Sequence, residues 1–257
     1  MPQPLRVVIT AAASGIGRSI AQSFAAAGAR VHVCDVDEAA LKDFRRSNGQ
    51  IAAARVDVSN QTELDAWFDT ALTELGGLDV LINNAGTKGP TAFVEEIDYA
   101  EWRECLTVCL DSHFFCARRA APIMKAQASG SIINLSSVAG LVGFGMRSPY
   151  AAAKWAVIGF TKSLAIELGP YGVRVNAICP GTVKGDRIDR VIAAESQRRG
   201  IPFKEVAEEY ISGQSIKRYV EPSEIADLCL FLASPAAKMI TGQAIAVDGH
   251  TETYHIG

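Results

Sequence analysis

The sequence predicts an α/β fold in which a doubly wound parallel sheet of about seven strands carries helices on both faces. Short apolar, β-branched runs alternate with helical patterns along the whole chain, which is typical of such a sheet. No linker, repeat or low-complexity tract interrupts the 257 residues. The chain is therefore expected to form a single domain over residues 1–257.

The first half of the chain alternates regularly. Apolar and β-branched runs predict strands, whereas helices are predicted from apolar spacing of three to four residues, from a Ser59/Asn60 cap and from terminal glycines. The predicted order is strand Leu5–Thr10, helix Gly15–Gly28, strand Arg30–Asp35, helix Glu38–Ser47, strand Ile51–Val56, helix Gln61–Leu75 and strand Leu78–Asn83.

The second half continues the alternation but contains one long irregular segment. The predicted order is a long helix Tyr99–Ala128, strand Ser131–Ser136, helix Tyr150–Leu168, strand Val173–Ile178, helix Glu221–Leu232 and strand Ala244–Val247. Residues 183–220 read as irregular, with short helical patches near Arg187–Arg198 and Phe203–Ser212. A long irregular segment in a compact domain predicts a substrate-binding loop or lid.

The composition narrows the class of function. Hydrophobic residues make up 49% of the chain, charged residues 21%, and the net charge is −3. With no basic stripe, nucleic acid is not an expected partner, and no apolar run reaches the length of a membrane span. The first residues already read as a strand and not as a signal peptide, so a cytoplasmic protein with a small-molecule substrate is expected.

Six cysteines fall within apolar helix or strand patterns, which predicts buried, reduced thiols and a reducing compartment. Cys105, Cys109, His113 and Cys116 share one predicted helix face. Ligands spread over three helical turns cannot converge on one metal ion, so ordinary packing is favoured and no metal is expected.

A small-residue turn joins the first strand to the first helix. It runs from Thr10 through Ser14, Gly15, Ile16 and Gly17. Helix N–H groups at such a turn favour the diphosphate of a dinucleotide, although small-residue turns also serve plain strand–helix packing.

Asp35 ends the second strand, eighteen residues after Gly17. Its carboxylate can accept both adenosine ribose hydroxyls and would repel a 2′-phosphate, so NAD is the expected cofactor. The alternative is that Asp35 caps a turn with Asp37.

With these features, the sequence resembles the short-chain dehydrogenase/reductase family over nearly its whole length. The motifs that carry the resemblance are the glycine turn, Asp57-Val58, Asn83-Asn84-Ala85-Gly86, Ser137, Tyr150 with Lys154 in Y-x-x-x-K spacing, Pro180-Gly181-Thr182-Val183, and Asp248-Gly249. The resemblance implies a Rossmann-like fold, a homotetramer, and cofactor contacts from residues 14–17, Asp35, Val36, Asp57, Val58, 84–86, Tyr150, Lys154 and 180–183.

The chain departs from the family pattern at several positions. Ala11 replaces a usual glycine, and its methyl group is expected to be tolerable if φ is negative there. Cys109 replaces an asparagine that the resemblance implies bends the long helix and holds a water of a proton relay. A thiol is a poor hydrogen-bonding group, so the relay is expected to be slowed or rerouted. Gly185 replaces a threonine found in many members.

The resemblance assigns catalysis to Ser137, Tyr150 and Lys154. Hydride transfer at an alcohol needs an acid/base near neutral pKa, and free tyrosine is too weak a base. Lys154 lies one helical turn after Tyr150, on the same face, where its ammonium stabilises the phenolate. Ser137 can donate a hydrogen bond to the substrate oxygen.

Three cations near the expected site, Arg147, Lys184 and Arg187, suggest an anionic or polyhydroxylated substrate, such as a keto acid, a hydroxy acid or a sugar acid. The alternative is that they pair with Asp186, Asp189 or Glu195 on the surface. The main functional prediction is an NAD-dependent oxidoreductase that interconverts a secondary alcohol and a ketone by hydride transfer. Rival functions are an NAD(P)H-dependent carbonyl or 3-oxoacyl reductase, and a catalytically weak NAD-binding regulatory protein on the same fold.

Overall fold

The computed structural model describes residues 3–251 and confirms the predicted fold class. Seven parallel strands form one sheet in the order β3-β2-β1-β4-β5-β6-β7. The strands are β1 (Arg6–Ile9), β2 (Arg30–Asp35), β3 (Ala52–Arg55), β4 (Val80–Asn83), β5 (Gly130–Leu135), β6 (Val173–Pro180) and β7 (Ala244–Val247). Each predicted strand is present, with ends that differ by a few residues.

Helices cover both faces of the sheet. They are α1 (Gly15–Ala26), α2 (Glu38–Ser47), α3 (Gln61–Leu75), α4 (Tyr99–Leu106), α5 (Ser112–Gln127), α6 (Ser148–Leu168), α7 (Asp186–Arg199), α8 (Phe203–Ser212) and α9 (Pro222–Ala233). Alternate strand residues point to opposite faces, so the sheet separates two apolar cores. Val7 and Ile9 pack with α1, α2 and α9, whereas Val8 and Leu81 pack with α3, α5 and α6.

The predicted helical stretch Tyr99–Ala128 is helical from residue 99 to residue 127, but it is not one regular α-helix. A five-residue π turn, Thr107–Asp111, separates α4 from α5, and Cys109 lies in its middle. A π turn inserts one residue into the helical ladder and redirects the helix. The bend that the family resemblance attributes to an asparagine is therefore present with a cysteine at that position.

The segment 183–220 contains the two predicted helical patches as helices. α8 has the predicted bounds, and α7 extends one residue beyond the predicted patch at each end. Gly200 adopts φ 67° at the end of α7 and permits the chain to turn into α8.

Ala11 does not have the negative φ under which its methyl group would be tolerated without strain. Its φ is +51°, in the left-handed region that glycine adopts without cost. For an alanine this conformation costs roughly 1–2 kcal/mol. The β1–α1 turn therefore keeps the family's backbone shape with a residue that is strained in it.

Replacing Ala11 with glycine is expected to stabilise the protein. Relief of the left-handed strain outweighs the greater entropy of glycine in the unfolded chain, which leaves a net gain of about 0.5–1 kcal/mol. This gain is the difference in the free energy of unfolding between the variant and the wild type, measured by urea titration. Ala26→Gly, at an exposed helical position of α1, is the matched control and should destabilise by about 1 kcal/mol. Equal destabilisation by both substitutions would contradict the strain argument.

Candidate active site

The predicted site residues meet at one edge of the sheet. Because all seven strands are parallel, the residues that follow β1, β2, β4, β5 and β6 emerge at the same, carboxyl edge. The strand order reverses between β1 and β4, and ligands of open α/β sheets bind outside such a switch point. The glycine turn follows β1 and the Asn83-Asn84 motif follows β4, so these two motifs flank the switch point.

The glycine turn is closed by contacts with the end of β4. Asn84 Nδ2 donates hydrogen bonds to the carbonyl oxygens of Thr10 and Ala11, at 3.1 and 2.7 Å. A Cβ on Gly17 would lie 2.5 Å from Ala11 O and 2.6 Å from Asn84 Nδ2, so only glycine fits there. Within residues 3–251, the Ser14 side chain makes no capping hydrogen bond to α1. The first N–H groups of the helix are therefore available to an anionic group such as a diphosphate.

Asp35 lies against this turn. Its Oδ2 accepts a hydrogen bond from Ala13 N at 3.0 Å, and its Oδ1 accepts one from Asp37 N at 3.1 Å. The alternative prediction, that Asp35 caps a turn with Asp37, therefore accounts for Oδ1. The other oxygen, Oδ2, holds the carboxylate beside the glycine turn. Val36, immediately after it, is 55% exposed, an apolar surface suited to a flat ring. These residues fit the adenosine half of a dinucleotide.

The remaining residues that were predicted to bind the cofactor make hydrogen bonds or apolar contacts with other protein groups. Asp57 Oδ1 accepts hydrogen bonds from Ser59, and Val58 is buried in the apolar core. Ala85 N donates to Thr10 Oγ1 at 3.1 Å, which fixes the turn that presents Gly86. After β6, a Cβ on Gly181 would lie 2.7 Å from Asp248 Cβ. Ile16, Pro180, Thr182 and Val183 complete the same edge.

Ser137, Tyr150 and Lys154 come together at the end of β5. Lys154 is buried and its Nζ donates to Leu135 O at 2.7 Å, while its Nζ lies 5.7 Å from the Tyr150 ring centroid. Ser136 turns the other way, as strand alternation predicts, and its hydroxyl donates to Lys154 O at 2.8 Å. Ser137 is the member of the pair whose hydroxyl helps to lower the pKa of Tyr150.

Tyr150 lies among three cationic side chains. The guanidinium carbons of Arg147 and Arg187 are 5.2 and 5.7 Å from its ring centroid, in addition to the Lys154 ammonium. Burial alone would raise the pKa of the phenol. Arg187, Lys154 and the Ser137 hydrogen bond outweigh burial and hold the pKa of Tyr150 below its ordinary value. The phenol is therefore a better proton acceptor near neutral pH than free tyrosine.

Arg147 is the unusual member of this group. It is only 5% exposed, and its Nη2 donates to Lys88 O. Its Nε has no hydrogen-bond partner among residues 3–251, although a buried guanidinium N–H without a partner is costly. Burial lowers the pKa of Arg147, but a guanidinium stays charged. Within the described residues, the side chain is thus a buried cation without a carboxylate partner.

A cavity of about 150 Å³ opens beside Arg147. Its cationic lining residues are Lys88, Arg147 and Arg198, and Glu195, its one carboxylate, hydrogen-bonds Arg198. Phe144, Val191 and Tyr210 supply apolar and aromatic walls. A small anion with a short carbon skeleton matches this lining.

The three cations suggested by the sequence have different positions. Lys184 is exposed and pairs with Glu221 at 3.1 Å, so its partner is a carboxylate other than the three that the sequence suggested. Arg187 Nη2 donates to Thr87 O at 3.0 Å, which leaves its charge over Tyr150. Only Arg147 lines the cavity.

Several site residues were missed by the sequence analysis. Thr87 and Lys88 directly follow the Asn84-Ala85-Gly86 motif, and this adjacency is the signal that could have found them. Tyr210 and Glu195 lie on α8 and α7, inside the predicted substrate segment, but nothing in their spacing distinguishes them.

All six cysteines are free and buried, as predicted. In the described part of the chain, no group of three or more potential ligands is arranged to hold a metal ion. Over the same residues, 3–251, no helix is long and apolar enough to cross a membrane.

Comparison with known proteins agrees with this geometry. A family model described as enoyl-(acyl carrier protein) reductase matches residues 10–250. The fold and site define an oxidoreductase of the nicotinamide-binding type. The chain belongs to the short-chain dehydrogenase/reductase family.

Three similar proteins illustrate the relationship. The trans-4-hydroxycyclohexanecarboxylate dehydrogenase of Sinomonas cyclohexanicum is 41% identical over 94% of this chain and 90% of its own length. The D-beta-hydroxybutyrate dehydrogenase of Cupriavidus necator is 35% identical over 94% and 95%. A crystal structure of an actinorhodin polyketide ketoreductase variant with NADPH superposes with a TM-score of 0.91 at 32% identity, covering 97% of this chain and 98% of that one.

Removing the Arg187 charge is expected to raise the pKa of Tyr150, because the phenolate loses a nearby cation. The tyrosinate absorbance of Arg187→Ala should therefore appear at higher pH than in the wild type, with Tyr150→Phe identifying the signal. Arg187→Lys keeps the charge and should shift the titration less. Arg190→Ala, an exposed neighbour on α7, should leave it unchanged. The electrostatic role of Arg187 is refuted if Arg187→Ala titrates like the wild type.

Proposed function

We propose that this protein is an NAD-dependent dehydrogenase that oxidises a secondary alcohol carrying a carboxylate to the corresponding keto acid. The observation that carries the proposal is the buried Arg147, which has no carboxylate partner among residues 3–251, lines a small cavity and lies 5.2 Å from the ring centroid of Tyr150. A carboxylate of the substrate would satisfy Arg147 and bring the adjoining alcohol toward the phenol.

The three signature residues have distinct proposed roles. Tyr150, as phenolate, takes the hydroxyl proton while hydride leaves the same carbon for the nicotinamide. Lys154 stabilises the phenolate through its charge, and its position is fixed by the hydrogen bond to Leu135 O. Ser137 holds the substrate oxygen, since its hydroxyl is within hydrogen-bonding reach of Tyr150. The bound nicotinamide supplies the hydride acceptor.

NAD is proposed over NADP because of Asp35. The carboxylate is fixed by Ala13 N and Asp37 N beside the adenosine end of the cleft, where it would repel a 2′-phosphate. The ketoreductase of similar fold was crystallised with NADPH, so the fold itself is compatible with either cofactor. Neither the position of Asp35 nor the NADPH of that ketoreductase favours a carbonyl reductase or a regulatory NAD-binding protein over an alcohol dehydrogenase for this chain.

The substrate class is supported by the lining of the cavity and by the relatives. Two of the similar dehydrogenases are named for hydroxy acids, a hydroxycyclohexanecarboxylate and a hydroxybutyrate. α7 and α8, which cover the cavity, correspond to the proposed substrate-binding segment 183–220. Exposed Phe114, Trp155 and Ile166 on α5 and α6 support the proposed homotetramer, since apolar exposed faces suit subunit contacts.

The first test is activity itself. The wild type should reduce NAD with hydroxy acids and reduce NADP at least tenfold less efficiently, because Asp35 repels the extra phosphate. Tyr150→Phe should lose roughly 10²-fold or more in kcat while still binding NADH, since only the acid/base is removed. Asp35→Ser should reduce the ratio of the catalytic efficiency with NAD to that with NADP. Full turnover of Tyr150→Phe would overturn the mechanism.

The second test concerns Arg147. Arg147→Met keeps an unbranched side chain but removes the charge, and kcat/KM for hydroxy acids should fall about 10²-fold, or about 3 kcal/mol. Neutral secondary alcohols of similar size should be affected far less. Arg147→Lys keeps the charge without the two-pronged geometry and should be intermediate. An equal loss on acids and neutral alcohols would exclude the carboxylate contact and leave the dehydrogenase assignment intact.

A further inference from the structure

A tyrosine of the segment 183–220 lines the cavity together with Arg147. Tyr210 lies near the end of α8 and is partly buried. Its backbone carbonyl accepts a hydrogen bond from Thr182 Oγ1 at 3.3 Å. Its hydroxyl, however, has no hydrogen-bond partner among residues 3–251. Because the hydroxyl of a buried tyrosine normally has a partner, this hydroxyl is available to a ligand in the cavity.

The other tyrosine of the segment has a different environment. Tyr219 OH donates a hydrogen bond to Ala207 O at 3.0 Å, which ties the end of the segment to α8. Among the described residues, Tyr210 lines the cavity and Tyr219 does not. The Tyr219 hydroxyl therefore stabilises the segment itself, whereas the Tyr210 hydroxyl makes no contact that the fold needs.

α8 holds Tyr210 in a fixed position. Val206, one helical turn earlier, is fully buried, and Glu209 pairs with Arg199 of α7 at 2.5 Å. Together with the hydrogen bond from Thr182, these contacts fix the backbone at Tyr210. A side chain on a fixed backbone loses less conformational entropy when it binds a ligand, so Tyr210 is well placed to orient one.

Tyr210 keeps its proton near neutral pH and is therefore a hydrogen-bond donor. Burial raises the pKa of Tyr210, and Arg147 opposes this rise without reversing it. Burial likewise lowers the pKa of Arg147, and Tyr210 is one of the groups that oppose that change. The two side chains are thus close enough for their charges to interact. Tyr150 is the opposite case, since nearby cations outweigh burial and lower its pKa.

The donors of the cavity are not all used by the protein. Glu195 is the carboxylate of the lining, and both of its oxygens accept hydrogen bonds from Arg198, at 2.6 and 3.1 Å. Arg147 Nη2 donates to Lys88 O, but Nη1 has no partner among residues 3–251. A guanidinium N–H and the Tyr210 hydroxyl therefore both lack an acceptor at one cavity, and a carboxylate would supply two acceptor oxygens.

We propose that Tyr210 is a specificity-determining residue that donates a hydrogen bond from its hydroxyl to the substrate carboxylate held by Arg147. The proposal rests on the hydroxy-acid function proposed above. One carboxylate oxygen accepts from the guanidinium and the other accepts from the phenol. Because Arg147 precedes α6 and Tyr210 is on α8, the two donors fix the rotation of the planar carboxylate. They thereby fix the position of the adjoining alcohol relative to Tyr150.

The same pair of donors determines which ligands are rejected. A carboxamide offers one oxygen acceptor and presents its N–H groups to the second donor, which then stays unpaired. A site that is built to pair with polar groups discriminates strongly against a ligand without the matching groups. Thr91 also carries a hydroxyl in the lining, but it is exposed, so water can satisfy it. Tyr210 is therefore the hydroxyl that distinguishes acids from neutral ligands.

The first test is binding without turnover. Butyrate has a carboxylate but no hydroxyl, and butanamide is its neutral analogue, so calorimetry with and without NAD measures both ligands. The wild type should bind butyrate more tightly than butanamide. Tyr210→Phe should weaken butyrate binding about 10-fold and change butanamide binding less than twofold, since only a hydrogen bond to a charged group is lost. Tyr219→Phe is the matched control and should change butyrate binding less than twofold.

Turnover provides the second readout. Tyr210→Phe should lower kcat/KM for hydroxy acids about 10-fold, mainly through KM, and should leave neutral secondary alcohols and the pH profile of kcat unchanged. The Tyr210 contact is overturned if Tyr210→Phe binds butyrate like the wild type, or if Tyr219→Phe loses as much affinity. The proposed function stands in both cases. A wild type that binds butyrate no better than butanamide would instead refute the hydroxy-acid function, and this proposal with it.

Discussion

The site depends on one buried charge. The Lys154 ammonium is held by Leu135 O at the end of β5, and charge can be buried only where partners are fixed around it. Gly140 lets the following turn approach, since a Cβ there would lie 2.7 Å from Lys154 O. The single helical turn from Lys154 to Tyr150 then places the phenol beside the ammonium. The end of β5, the turn at Gly140 and α6 are therefore held in place relative to one another by the contacts of Lys154.

The cofactor end is stabilised by a different constraint, the close approach of two backbone segments. Thr10 Oγ1 accepts hydrogen bonds from Asn84 N and Ala85 N, while Asn84 Nδ2 returns to the glycine turn. Because Gly17 has no room for a Cβ, the turn cannot relax away from β4. Ala11 keeps its left-handed backbone inside this network, which shows that tertiary contacts outweigh a local preference.

The positive charge near Tyr150 distinguishes this chain from a minimal Ser-Tyr-Lys site. Arg187 reaches across from α7 to Thr87 O, and Arg147 lies beneath the cavity. These groups favour anions both on the phenol and in the cavity. An anionic substrate would balance this excess of positive charge, which is the electrostatic basis of the substrate proposal.

The sequence predicted the elements whose signal is local. Strand positions followed from short apolar runs, and Asp35, Ser137, Tyr150 and Lys154 could be singled out because each lies at a fixed distance from a strand or along a helix. The π turn was missed because helical periodicity around Cys109 continues on both sides of it. Arg147 and Lys184 were indistinguishable, since a pattern of charges does not reveal which cation finds a carboxylate and which is buried without one.

By itself, the sequence determined the fold class, which follows from the periodicity of apolar residues along the chain. It also indicated the family, through motifs whose resemblance to that family implied the residues at the carboxyl edge of the sheet. Only the tertiary structure decided the left-handed conformation of Ala11, the pairing of Lys184 with Glu221 and the burial of Arg147. These features depend on distances between segments that are far apart in sequence. Hydrogen bonds and charge interactions depend on distance in space, which separation along the chain does not reveal.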